Sequence, residues 1–153
     1  MESFVVFKYL HVVSMFFAVA LAVSTELVMR RVASSGDAQT IRTVVPRIRP
    51  LGNLSTGFFL AGVAFGVVAA LTGNMNLLAP WLLLSYAAFI GATAIGMLVT
   101  EPWTARLETA AADGGSPEGL QAVIGDPGAR AGTWALMALV AILVLLMVVK
   151  PFA

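Results

Sequence analysis

Hydropathy divides the chain into four long apolar runs separated by polar segments: roughly Phe4 to Met29, Leu51 to Leu71, Pro80 to Thr100 and Gly132 to Val149. Each holds about the 20 residues that a helix needs to cross the ~30 Å hydrocarbon core of a bilayer. Strands of a membrane barrel are shorter, about 10 residues, and alternate in hydropathy, which these runs do not. The pattern therefore predicts an all-α fold, a four-helix transmembrane bundle running up-down-up-down, as one integral membrane domain over residues 1–153. The longest polar stretch, Glu101 to Ala131, is too short to build a core of its own. A cleaved signal peptide is the alternative for the first run, with Lys8 upstream and small residues at Ala20-Leu-Ala22. A signal core spans about 7–15 residues, whereas this run continues to the pair Arg30-Arg31, as a retained span does.

The polar residues that interrupt the pattern set its direction. Arg30, Arg31, Arg42, Arg47 and Arg49 lie between the first two spans against a single Asp37, and Arg106 and Arg130 lie between the last two. Crossing parity puts both segments on one side, which then holds seven of the nine basic residues. Lysine and arginine near span ends are retained in the cytoplasm, so both termini are expected outside. The other role open to these arginines is an anionic ligand, with lipid headgroup contact the simpler reading. A net charge of +1 gives no general attraction to nucleic acid. The absence of cysteine excludes disulfides, thiolate metal sites and covalent heme attachment.

Connections and small residues suggest how the spans meet. Thr72-Gly-Asn-Met-Asn-Leu-Leu-Ala-Pro80 is short and turn-rich, predicting that spans two and three are antiparallel neighbours. Gly62-x-x-x-Gly66, the stripe Ala88, Ala92 and Gly96, and the pair Ala18 and Ala22 are candidate packing faces, within this bundle or in a homo-oligomer. Pro46 and Pro50 mark the entry to span two as a helix start or kink. The last polar segment carries Glu101, Glu108, Asp113, Glu118 and Asp126, broken by Gly114-Gly-Ser-Pro117 and Gly125-Asp-Pro-Gly128. It predicts a surface helix over Trp103 to Ala112, with Trp103 at the membrane interface, then a mobile loop. This acidic segment facing the arginine-rich one invites mutual docking.

Candidate chemistry is sparse. His11, the only histidine, stands inside the first apolar run, where a titratable imidazole is disfavoured unless it finds a partner or a ligand. Candidate polar partners at its height are Ser14, Ser85, Tyr86 and, at the end of span four, Lys150. Lys150 itself is expected to snorkel to the interface. Glu26 stands four residues before Arg30, the orientation of a helical ion pair. The other reading turns Glu26 inward toward Asn53, Ser55 or Thr56, making an inner-side site of Glu26, Arg30 and Asn53. His11 and Glu26 lie about 22 Å apart along the helix axis and cannot share one small site. A lone histidine excludes an intrachain bis-histidine heme. Heme b would take His11 with methionine, lysine, tyrosine or an open position opposite, or His11 of a second copy. Zinc needs three or four converging ligands, and a serine–histidine–acid triad needs an acid nearby; neither is available at that height.

The segment Lys8-Tyr-Leu-His11-Val-Val-Ser14, the arginine-containing loop and the ending Leu146-Met-Val-Val-Lys150-Pro151 together resemble a bacterial integral membrane family of unknown function (domain of unknown function 2269). That resemblance spans nearly the whole chain, places it in the bacterial cytoplasmic (inner) membrane, and implies no activity. The Leu-His-x-x-Ser opening is also similar to copper-resistance protein D-like domains and to small heme-containing protoporphyrinogen oxidases. In those groups a first-span histidine is associated with cofactor or metal binding, which implies a role for His11 alone. The chain departs from them at Met15-Phe-Phe-Ala18, where they commonly carry a tryptophan–glycine pair, and it lacks the further histidines that copper would need. Three functions follow as expectations. They are heme b binding through His11 in electron transfer or porphyrin handling, a non-catalytic accessory subunit or scaffold of a larger membrane complex, and a small transporter built on Glu26.

Overall fold

A computed structural model describes residues 2–112 and 116–151. Its elements are α1 (Glu2–Ser34), α2 (Ala38–Thr72) and α3 (Pro80–Ile95), a π-helical turn (Gly96–Thr100) leading into α4 (Glu101–Ala111), then α5 (Pro117–Ile124) and α6 (Pro127–Val149). The described residues contain no strand, and four helical stretches are long and apolar enough to cross a membrane. Asp113 and Gly114 of the acidic segment lie outside the described residues.

The helices outrun the apolar stretches at one end. α1 has 33 residues and α2 has 35, about 50 Å each and well beyond a ~30 Å hydrocarbon core. Only Ser35, Gly36 and Asp37 separate them. Gly36 takes φ +68°, and Asp37 caps α2 by accepting from the backbone N–H of Gln39 (3.2 Å) and Thr40 (3.0 Å). The arginine-rich segment read as a loop is therefore helix. Pro46 and Pro50 sit inside α2 instead of at its start. Both are exposed, so the N–H donors they lack fall on the open side of the helix. Ile41 and Val45, fully buried, hold the opposite face.

Close backbone approach joins α1 to α2 and α3 to α6, not α2 to α3. α2 and α3 are neighbours across the short turn as expected, but small residues bring the backbones closest in the other two pairs. A Cβ at Gly62 would stand 3.1 Å from Met15 Sδ, and one at Gly73 would stand 2.8 Å from the Phe4 ring. Between α6 and the π turn, a Cβ at Gly132 would meet Val99 Cγ1 at 2.6 Å. The stripe Ala88, Ala92 and Gly96 does not act as one face: Ala88 is buried, while Gly96 has open space where a Cβ would go. α2 and α3 meet through side chains, Phe59 and Phe89, whose ring centroids are 6.1 Å apart.

The best-packed core lies at the end beyond the apolar runs. Met29 and Ala33 of α1, Ile41 and Val45 of α2, Trp103, Leu107 and Ala111 of α4, Leu120 of α5 and Ala129 of α6 form one buried cluster. Two expectations are corrected here. Trp103 is fully buried instead of sitting at the membrane interface. The segment after α4 is not a mobile loop throughout, because Ser116 caps α5, which supplies Leu120 to the core. The large apolar side chains along the spans, among them Val12, Phe16, Ile90 and Leu145, are mostly exposed and face the lipid.

Candidate functional site

His11 lies on the α1 face that meets α2. Its Nδ1 is 2.7 Å from the carbonyl oxygen of Gly62. A carbonyl only accepts, so Nδ1 carries the proton and donates. A Cβ at Gly66 would stand 2.7 Å from Nδ1 and 3.0 Å from Cε1, so Gly66 provides the room for the ring. The Gly62-x-x-x-Gly66 pair thus serves a packing face within the chain, and this face receives an imidazole. In the neutral ring Nε2 then carries a lone pair. It has no hydrogen-bond partner among the described residues, yet it is not a sealed, orphaned core atom.

The side chains expected around His11 fall elsewhere. Ser14 is buried one turn along α1. Ser85 donates to the carbonyl of Trp81 on its own helix at 2.8 Å. Tyr86 is exposed. Lys150, in a left-handed conformation at the end of α6, stands over the Trp81 ring at 5.6 Å from its centroid. A backbone acceptor carries no residue-type signature, so Gly62 as the partner could be found only through the small-residue spacing that draws the two helices together.

The second polar cluster is at the other end of α1. Glu26 is buried, and its Oε1 accepts from Arg30 Nε (3.0 Å) and from Thr133 Oγ1 (2.6 Å). Arg30 Nη2 donates to the Ala129 carbonyl at 2.7 Å and to Thr133 Oγ1. The guanidinium lies 4.0 Å from the Trp103 ring centroid, and Trp103 Nε1 donates to the Val123 carbonyl at 2.9 Å. The cluster ties α1 to α4, α5 and α6 and satisfies a charge pair that would be costly alone in low dielectric. The pairing of Glu26 with Arg30 is present, but the expected pocket with Asn53 does not form. Asn53 and Thr56 are exposed, and Ser55 donates to the Ala18 carbonyl at 2.8 Å, pinning α2 to α1. Thr133, the residue completing the cluster, is a lone hydroxyl near the start of an apolar run and gave no spacing signal.

The acidic and basic segments dock as expected. Arg49 bridges Glu101 (3.4 Å) and Glu108 (3.1 Å), and Arg106 pairs with Asp126 at 2.8 Å. Asp126, at the turn before α6, accepts from the N–H of Ala129 and Gly128. Those bonds and Arg106 hold its carboxyl below the usual value, the Ala129 bond most. Asp37 is likewise held down, by its hydrogen bonds to Thr40 first and to Gln39. No group of three or more metal-ligating side chains occurs among the described residues.

Fold and site define a class: an all-helical integral membrane protein of four spans, with one imidazole inside the bundle and one buried ion pair at its capped end. The chain belongs to the family described as predicted integral membrane protein DUF2269, whose pattern matches residues 5–151. No curated protein and no solved structure matches it.

Proposed function

We propose that this protein binds heme b in the membrane with His11 Nε2 as the axial ligand, in electron transfer or porphyrin handling. The observation that carries the reading is the 2.7 Å bond from His11 Nδ1 to the Gly62 carbonyl. Ligating histidines usually donate their other ring N–H to a carbonyl or carboxylate, which fixes tautomer and ring orientation and raises ligand basicity. Here that second interaction is present and the opposite nitrogen is unpartnered. Met15, one turn along α1, has its sulfur packed against Gly62 and supplies no second ligand. The position opposite His11 is left to another side chain, an open site or a second copy, and two copies related by an axis along the membrane normal would carry their His11 side chains at one depth. Bound heme would supply one-electron chemistry; the protein orients the imidazole through the Gly62 carbonyl and the room left at Gly66.

The placement that accompanies this reading is the bacterial inner membrane, with the capped, arginine-rich end in the cytoplasm. Its support is the seven basic residues at that end against Lys8 and Lys150 at the other. Absorbance of protein purified in detergent after heme-replete expression tests the reading. A Soret band that His11→Ala abolishes, with helical content unchanged by circular dichroism, is expected. Colourless wild-type protein overturns it. A second reading, an accessory subunit of a larger complex, draws on the capped end being a packed surface with ion pairs at its rim. A mild-detergent pulldown that recovers this chain alone counts against it.

A further inference from the structure

We infer that Lys8 is the counter-charge for the carboxylate edge of the porphyrin held at His11, which orients the heme with its propionates toward the end of the bundle that holds the Thr72–Pro80 turn. This rests on the heme reading above. Lys8 precedes His11 by three residues, so it lies about 4.5 Å nearer the start of α1 and on the adjoining strip of helix surface. Its side chain is exposed and has no carboxylate partner among the described residues. The ammonium stands 5.8 Å from the centroid of the Phe4 ring, which is itself seated against Gly73. The cation is thus carried along the helix away from His11, toward the polar boundary.

An imidazole nitrogen without a hydrogen-bond partner, with an ammonium that has no carboxylate partner one turn above it, matches a ligand that has a Lewis-acidic centre and an anionic rim. Lys150, the other lysine at this end, also stands over an aromatic ring, Trp81, but on the α3–α6 pair and away from the α1–α2 face that holds His11. A snorkelling lysine that merely contacts lipid phosphate would occupy the same place, so the test separates the two anions, porphyrin carboxylate and lipid phosphate, by changing only the porphyrin.

The experiment titrates wild type, Lys8→Gln and Lys8→Arg in detergent with hemin and with hemin dimethyl ester, in which the propionates carry no charge. Hemin binding is expected to weaken about two- to fivefold in Lys8→Gln, the scale of one exposed ion pair, and to recover in Lys8→Arg. The difference should shrink as salt rises. All three proteins should bind the dimethyl ester alike. Equal hemin affinity in wild type and Lys8→Gln, or equal weakening for both porphyrins, overturns the role of Lys8 while leaving the His11 reading standing. Failure of wild type to bind either porphyrin overturns both.

Discussion

Two alanine substitutions in the same helix should act in opposite directions. In Gly66→Ala the new methyl would lie 2.7 Å from His11 Nδ1 and 3.0 Å from Cε1, so the ring must move. Overpacking of this kind costs about 1–3 kcal/mol. Moving the ring also breaks the bond to the Gly62 carbonyl, about 0.5–1.5 kcal/mol more. In Gly57→Ala the methyl enters open space. Both substitutions gain helix propensity, up to ~1 kcal/mol in a soluble helix, so that contribution cancels in the comparison. Gly66→Ala should therefore be less stable than Gly57→Ala by about 1.5–4.5 kcal/mol. Equilibrium unfolding in mixed dodecyl maltoside and sodium dodecyl sulfate micelles, followed by circular dichroism, measures the difference. Agreement of the two variants within about 0.5 kcal/mol would refute the confinement of the ring by Gly66. Gly66→Ala should also lower hemin affinity, which Gly57→Ala should not.

Three further outcomes follow from the capped end. Arg30→Met strands Glu26 with a single hydrogen-bond donor, Thr133, and should destabilise by about 3–5 kcal/mol. The double variant Glu26→Gln with Arg30→Met should recover part of that loss in the same unfolding assay. Trp103→Ala removes the largest fully buried side chain of the cap core and should cost about 3–5 kcal/mol. Trp103→Phe, which keeps most of the packing but loses the bond to Val123, should cost less. Asp37 and Asp126 have lowered folded values relative to the unfolded 3.8, so their contribution is fully present above about pH 4 and is lost as pH falls through the folded values. Asp126→Asn should reduce the acid sensitivity of thermal unfolding; an unchanged pH profile between pH 5 and 3 would refute that assignment.

The four spans were legible because their signal, about 20 apolar residues in a row, is local and strong. Helix partners were not. α1 and α3 carry apolar residues all round, so no polar face marks which side meets which neighbour. Pro46 and Pro50 argued locally for a break, but the decision lay with Ile41 and Val45, whose burial depends on α4 being folded beneath them. Trp103 looked like an interface anchor because a tryptophan beside a charged segment usually is one; the guanidinium of Arg30 and the Val123 carbonyl, both distant in sequence, draw it inside. His11 stands out as a titratable group inside an apolar run, and the charge pair Glu26–Arg30 is readable from its spacing. Their remaining partners, Gly62 and Thr133, are an acceptor and a hydroxyl without a motif.

The position of the cap cluster bears on how the chain is made. Arg30 and Glu26 leave the ribosome early, but Ala129 and Thr133, which satisfy them, arrive about a hundred residues later with the fourth span. Until then an arginine and a glutamate near the membrane boundary share only each other and water, and the face of Trp103 that they cover stays open. The last helix therefore supplies the final partners of this cluster. A chain halted before Thr133 would keep the Glu26–Arg30 pair but lack the α6 carbonyl and hydroxyl that complete its hydrogen bonding.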